Sequence, residues 1–344
     1  MKKVSTRVYI FQKVLDYLGV AFLGVLLLFI WQLYRGPIEV PFLKPYIMQA
    51  LNSDSSEAEI SVGNVSIELV RSLQPIKIVA KDISYKRRDE SVNVKAPRTT
   101  VSFSLKALLR GIVAPSSIAV ESPVVYVFSD YGVKEDNKNE VDKQRLGYHF
   151  KMIEDFLERF NADDNSYIES YINSIKISGG ELELHEVDLG RKWSFSDLNY
   201  KFERNLLNIS TELNALVNLG SSFATVGLEG EYRPLKQKLA LDFYFSDLAP
   251  DSVTDIFAAP DQQSRFLQIN LPVSGRVSTI IDINQALQNQ DDVDKLVDKA
   301  FDSIRFQFEG GQGDIIFDDN PDSRYQVSSF LLEGNVSGGI NDIS

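Results

Sequence analysis

At 344 residues with a net charge of −12 and no cysteine, the chain excludes disulfides, thiolate metal centres and thiol nucleophiles. Residues 1–35 hold five basic groups and one acidic one, a local charge of +4, so the remainder carries −16. That acidic remainder argues against nucleic acid as a partner and against charge-driven adhesion to an anionic surface.

Residues 17–34, YLGVAFLGVLLLFIWQLY, are free of charge between Asp16 and Arg35. As a helix they span about 27 Å, enough to cross a bilayer core. Competing readings are a buried core helix and a cleaved signal peptide. Against cleavage, the run ends in bulky Trp31 and Tyr34 and has no small-residue site after it. The pattern therefore predicts a transmembrane anchor, with Tyr17, Leu18, Phe22, Leu26, Phe29, Trp31 and Tyr34 in contact with lipid. Lys2, Lys3, Arg7 and Lys13 precede the span, which places residues 1–16 in the cytoplasm and the bulk of the chain outside it. In a bacterium with two membranes that is a single-pass inner-membrane protein with a periplasmic body.

Pro37, Pro41 and Pro45 forbid a continuous helix after the span, though Pro45 suits the first turn of a short one. Period-two alternation then begins. Ile60 and Val62, a turn or bulge at Gly63–Asn64, and Val65, Ile67 and Leu69 are followed by Ile76–Tyr85, Val92–Ala96 and Val101, Phe103, Leu105. LKALLRG reads as a helical turn ended by Gly111. Ile118, Val120 and residues 124–128 read as a strand pair around Pro123.

A charged loop over 129–145 leads to an amphipathic helix with Leu146, Phe150, Ile153, Leu157 and Phe160 on one face. It reads as a helix packed on a sheet, or as a plug over an apolar cavity. Strands return as a hairpin about Gly179–Gly180, another about Gly190, and then Leu207–Leu216, Val226–Tyr232 and Leu239–Phe245. A short helix is expected over 250–259, strands over 273–283, a helix over 285–303, a hairpin from Phe306 to Phe317, and a last strand or pair from Tyr325 to Val336. The word FSDL recurs at 195–198 and 245–248, each time closing a strand. This rhythm predicts a mainly β chain with few helices, a long curved antiparallel sheet apolar on one face and wet on the other.

Recognisable catalytic chemistry is missing from the pattern, so an enzyme is not expected. His149 and His185 stand apart, and His185 alternates onto a wet face. Gly310–Gly313 lacks the lysine and helix start of a phosphate loop, and Asp318, Asp319 and Asp322 lack calcium-loop spacing. No metal or cofactor is expected.

GPIEVPFLKPYIMQAL directly after the span, VSFSLKALLRGIVAPSSIAVESPVVYVF, GLEGEYRPLKQKLALDFYFSDLAPDSV and NLPVSGRVSTIIDI together resemble the AsmA-like family, of the YhdP/TamB type. The resemblance covers nearly the whole chain; members are commonly far longer, and the insertion at 129–145 is not a family signature. It implies a chorein-like start of the groove over 35–128, the loop and helix over 129–165, and a repetitive AsmA-like sheet over 166–344 that continues in a longer protein. It further implies a taco-shaped groove holding phospholipid acyl chains between inner and outer membranes. The alternating apolar set expected to line it is Val101, Phe103, Leu182, Leu184, Leu228, Leu239, Leu241, Phe243, Phe245 and Val277. Alternatives are an envelope assembly factor that binds a protein partner by strand addition at the open sheet edge, and a truncated remnant.

Overall fold

The alternation folds into strands, seen in a computed structural model that describes residues 6–45, 48, 58–70, 76–129, 156, 159–160, 167–186, 191–205, 207–219, 222–249, 268–289, 299–316 and 324–337. Helix α1 (Thr6–Arg35) comes first. Then follow β1 (Ile38–Glu39), β2 (Ala58–Ser61), β3 (Val65–Leu69), β4 (Ile76–Arg87), β5 (Val92–Phe103), α2 (Leu105–Leu108), β6 (Pro115–Glu121) and β7 (Val124–Ser129). The second half holds β8 (Ser174–Glu186), β9 (Arg191–Arg204), β10 (Ile209–Asn218), β11 (Phe223–Arg233), β12 (Lys238–Leu248), β13 (Gln268–Asn270) and β14 (Val273–Asp282). It ends with α3 (Ile283–Gln288), β15 (Phe301–Gly310), β16 (Gly313–Ile316), β17 (Arg324–Val327) and β18 (Phe330–Ser337).

One 15-stranded sheet runs β1-β3-β4-β5-β6-β8-β9-β10-β11-β12-β14-β15-β18, with β2 on β4 and β7 on β5 and β8. Its thirteen-strand path is about 60 Å across at the usual strand spacing. The sheet is mixed rather than purely antiparallel, because β6 and β7 both lie parallel to β8. β13, β16 and β17 form a separate small sheet.

Register places the apolar residues on one face. Ile38, Ile67, Ile78, Val101, Ile118, Ile175, Phe202, Thr211, Gly230, Leu241, Thr279, Ile304 and Val336 stand opposite one another in unbroken succession across the thirteen strands. The next row on that face runs from Val65 and Ala80 through Tyr200, Leu228, Phe243, Val277 and Phe306 to Gly334, also without a charge. Between these rows, on the other face, stand Lys176, Lys201, Glu212, Glu229, Asp242, Ser278 and Arg305.

A line of irregularities crosses the N-terminal half at one level. Asp82 of β4, Ser122 between β6 and β7, Gly179 of β8 and Asp197 of β9 all have positive φ, from 48° to 61°. The Gly63 N–H donates to Lys81 O at the same level, and the Gly179 N–H to Asn199 Oδ1. Each break re-phases its strand so that residues an odd number apart share the apolar face. Thus Ala80 and Ile83 pack in one cluster with Val40, Val62 and Val65. Bulges bend a strand and sharpen its twist, so their alignment makes a crease along the sheet.

Several expected elements are corrected by this arrangement. Gly179–Gly180 is a bulge inside the continuous β8, not a hairpin turn. β6 and β7 are collinear pieces that share partners instead of pairing with each other. Residues 301–303 belong to β15, not to the preceding helix. Phe306 and Ile315 do not share a hairpin, since β16 leaves for the small sheet after the glycine turn. α2 ends as expected at Gly111, whose φ is 77°. Of the amphipathic helix, only 156, 159 and 160 are described, and they are helical. Residues 130–145, the helix at 250–259, His149, Phe317 and Asp318–Asp322 lie outside the described residues.

Candidate functional site

The apolar face is the candidate site, and its chemistry is that of a hydrocarbon surface. The register brings Leu228, Phe243 and Val277 side by side, with Gly230 and Leu241 beside them. Leu182 faces Phe195 and Leu184 faces Trp193 at the crease side. Phe243 is exposed; Val101, Phe103, Leu182, Leu184, Leu228, Leu239, Leu241, Phe245 and Val277 are half-buried. Val101 and Phe103 lie on β5, Leu182 and Leu184 on β8 with one strand between, and the other six on β11, β12 and β14 farther along the same sheet. Phe306, Phe308, Ile304, Tyr200 and Leu213 belong to the same rows but were not assigned to the lining from the sequence. Alternation reveals that they are strand residues; only the register reveals which face they share.

Phenylalanines pave the C-terminal end. The Phe243 and Phe245 rings lie 6.1 Å apart, Phe245 and Phe308 6.1 Å, and Phe306 and Phe308 5.8 Å. They fit because glycines face them across the strands. A Cβ on Gly275 would come within 2.4 Å of Phe308 and 2.8 Å of Phe245, and one on Gly334 within 2.2 Å of Phe306. The rings therefore lie over bare backbone as a smooth floor.

One end of the face is covered. Phe160, Ile172, Phe202, Ile209, Tyr232, Ile281, Ile283, Ala286 and Ala300 form a buried cluster there. Arg204 pins the cover to the sheet: its guanidinium donates to Phe160 O and Ser170 O, two backbone carbonyls of the covering segments. Leu239 and Leu241 pack against this cluster, and two smaller buried clusters lie on the face, Val40 with Val62 and Val65, and Val217 with Leu219 and Ala224.

The opposite face is ionic and wet. Glu231 is held below the usual carboxylate range by the Arg233 guanidinium and then by Asn208. Lys192 and His185 do the same for Glu183. Burial, with Glu229 and Glu212 nearby, pushes the Tyr244 phenol up. His185 stacks on Phe128 at 4.8 Å and lies 3.3 Å from Glu183, half-buried on this face. A depression of about 400 Å³ lies between Lys201, Glu212, Glu229 and Asp242. Among the described residues no group of three His, Cys, Asp or Glu is placed to hold a metal ion.

α1 projects from the β body. Its Leu33 is buried, whereas Tyr17, Leu18, Phe22, Trp31 and Tyr34 are exposed, as are Val20, Leu23, Val25, Leu27 and Leu28. The side chains of Leu26 and Phe29, on the same helix, lie outside the described set. Among the described residues, no helix is long and apolar enough to cross a membrane, so the expected anchor is not found there. No family model matches the chain, and neither the curated proteins nor the solved structures contain a match.

Proposed function

We propose that this is a membrane-anchored lipid-binding protein, whose open apolar sheet face shelters phospholipid acyl chains and passes them between inner and outer membranes. The observation that carries the reading is the pair of uncharged rows across the sheet, which stay only half-buried at most of their positions among the described residues. An exposed apolar surface of that extent calls for an apolar guest. Each methylene withdrawn from water gains about 0.8 kcal/mol, so two acyl chains bind well without hydrogen-bond specificity. No covalent chemistry is required, and the protein acts as a conduit rather than an enzyme.

In this reading α1 is the single-pass anchor. Its 30 residues reach about 45 Å, and the large apolar side chains it exposes find their solvent in the bilayer. Residues 1–16 stay in the cytoplasm and the sheet stands in the periplasm. The segments that resemble the AsmA-like family point to the same arrangement.

The test is lipid co-purification. Phe243→Asp places a charge in the middle of the face at an exposed position, and Leu241→Asp at a half-buried one beside the covered cluster. Native mass spectrometry of the full chain should show bound phospholipid lost, with the thermal transition retained. Unchanged lipid content in a folded variant refutes the reading. The outer edge of β18, where Leu331 and Leu332 are exposed, supports a second reading, strand addition by a protein segment. Photo-crosslinkers at 330–336 would then capture polypeptide and not lipid.

A further inference from the structure

The rim of the sheet from which α1 emerges carries a second apolar feature that the trough does not use. Ile38 stands opposite Ile67, Leu69 opposite Ile76, and Lys77 opposite Ser102. The end of α1 and the end of β5 are therefore on the same rim, three strand spacings or about 14 Å apart. α2 grows from that rim.

The turn is fixed in shape. Ser104 Oγ accepts from the Ala107 N–H at 3.2 Å and caps the start. At the other end, Ile112 N–H donates to Ala107 O and Gly111 N–H to Leu108 O, the paired bonds of a Schellman close. Ala107 packs inward against Ala114 and Tyr171. The outward positions are Leu105, Leu108, Leu109 and Val113, with Leu109 82% exposed. A rigid turn that aims leucines at solvent is unusual, and its charge is unusual too. Residues 102–120 hold two basic residues, Lys106 and Arg110, and no acidic one, in a chain of net −12. Arg98 is engaged by Glu68 and Glu121; among the described residues Lys106 and Arg110 form no ion pair.

We infer that α2 is a lipid-surface contact: Leu105, Leu109 and Val113 dip into the headgroup boundary of the bilayer, with Lys106 and Arg110 against its anionic phosphates. This rests on the reading of α1 as the anchor. An apolar tip flanked by basic groups matches the interface of a bilayer in both respects. Lys106 and Arg110 give the turn a charge opposite to that of the acidic body, and the short span to α1 holds the turn at the surface. The sheet would then be seated at two points, not hung from a single helix.

The cysteine-free chain allows a direct test. Single cysteines Leu109→Cys and Val113→Cys carry an environment-sensitive dye in the full chain, reconstituted in vesicles of zwitterionic and anionic phospholipid. Asp89→Cys, in the turn at the far end of β4, serves as the aqueous control, and Leu27→Cys reports on α1. Positions 109 and 113 should be quenched by brominated lipid and be several-fold less accessible to iodide than 89. Neutralising Lys106 or Arg110 to Gln should weaken docking about fivefold each, from about 1 kcal/mol per basic group at an anionic surface. If iodide reaches 109 and 113 as freely as 89 while 27 is quenched by lipid, the docking is wrong and the anchor stands. If 27 is open to iodide, the anchoring reading falls and the docking with it. Shielding at 109 without lipid quenching means that protein covers the turn, which also overturns the inference.

Discussion

Phe202 and Phe243 lie on the same sheet face, and comparing them decides whether that face is open. Phe202 is 1% exposed, with its ring edge-on to Phe160 at 5.1 Å and to Phe156 at 5.9 Å. Phe243 is 43% exposed and its nearest ring, Phe245, is 6.1 Å away. Phe202→Ala removes a buried ring and leaves a cavity beneath the covering segments, at a cost of about 3–5 kcal/mol. Phe243 withdraws little more than half of its surface from water, so of the roughly 3 kcal/mol that full burial is worth, about 1.5 kcal/mol is lost on truncation. No closed void forms there, and the cavity contribution drops out. The two variants should thus differ by about 1.5–3.5 kcal/mol. Urea unfolding of the full chain in detergent, followed by Trp193 fluorescence in a Trp31→Phe background, measures both. Lipid content should move the other way, falling with Phe243→Ala and holding with Phe202→Ala. Equal stability losses would mean that Phe243 sits in a sealed interior and that the trough does not exist.

Three further outcomes are expected. Gly275→Ala sets a methyl against Phe308 and Phe245 and should lower stability by about 1–3 kcal/mol in the same unfolding assay, whereas Gly19→Ala, in the interior of α1 with nothing within 4 Å, should cost nothing. Asp197 sits at φ 48°, so Asp197→Val should cost about 1–2 kcal/mol while Asp197→Gly stays near neutral. Glu231 has its carboxyl depressed below its ordinary 4.5 in the folded chain, so its ion pair contributes fully above that pH and is lost as pH falls through the folded value. Glu231→Gln should therefore flatten the fall in unfolding midpoint on the acid side of pH 4.5 and change nothing in its slope above it.

The alternation was enough to reveal a β-rich chain with an apolar and a charged face, because period two is a local property. Leu239, Leu241, Phe243 and Phe245 could be put on one surface by counting alone. The FSDL word shows the limit of counting. It was legible as a recurrence but its meaning was not: Asp197 and Asp247 both take left-handed backbone, with φ of 48° and 59°, and the bulge keeps Phe195 with Leu198, and Phe245 with Leu248, on the apolar side. A residue three places on would otherwise point away. Gly179–Gly180 misled for the same reason, since paired glycines serve a bulge as readily as a hairpin turn. The departure of β16 to a second sheet, and the pairing of β7 with β8, depend on partners distant in sequence that no local pattern names.

That last pairing has a consequence for how the chain assembles. From β3 to β7, and from β8 to β12, consecutive strands pair through connections of a few residues or share a partner. Between them lies a junction where neighbours run in the same direction, and 44 residues separate Ser129 from Ser174. Closing so long an excursion forfeits chain entropy before any ladder bond rewards it. Refolding should therefore show a slow step, the pairing of β6 and β7 with β8, and a cut in the connecting stretch, which makes that pairing bimolecular, should slow it further and make it depend on concentration.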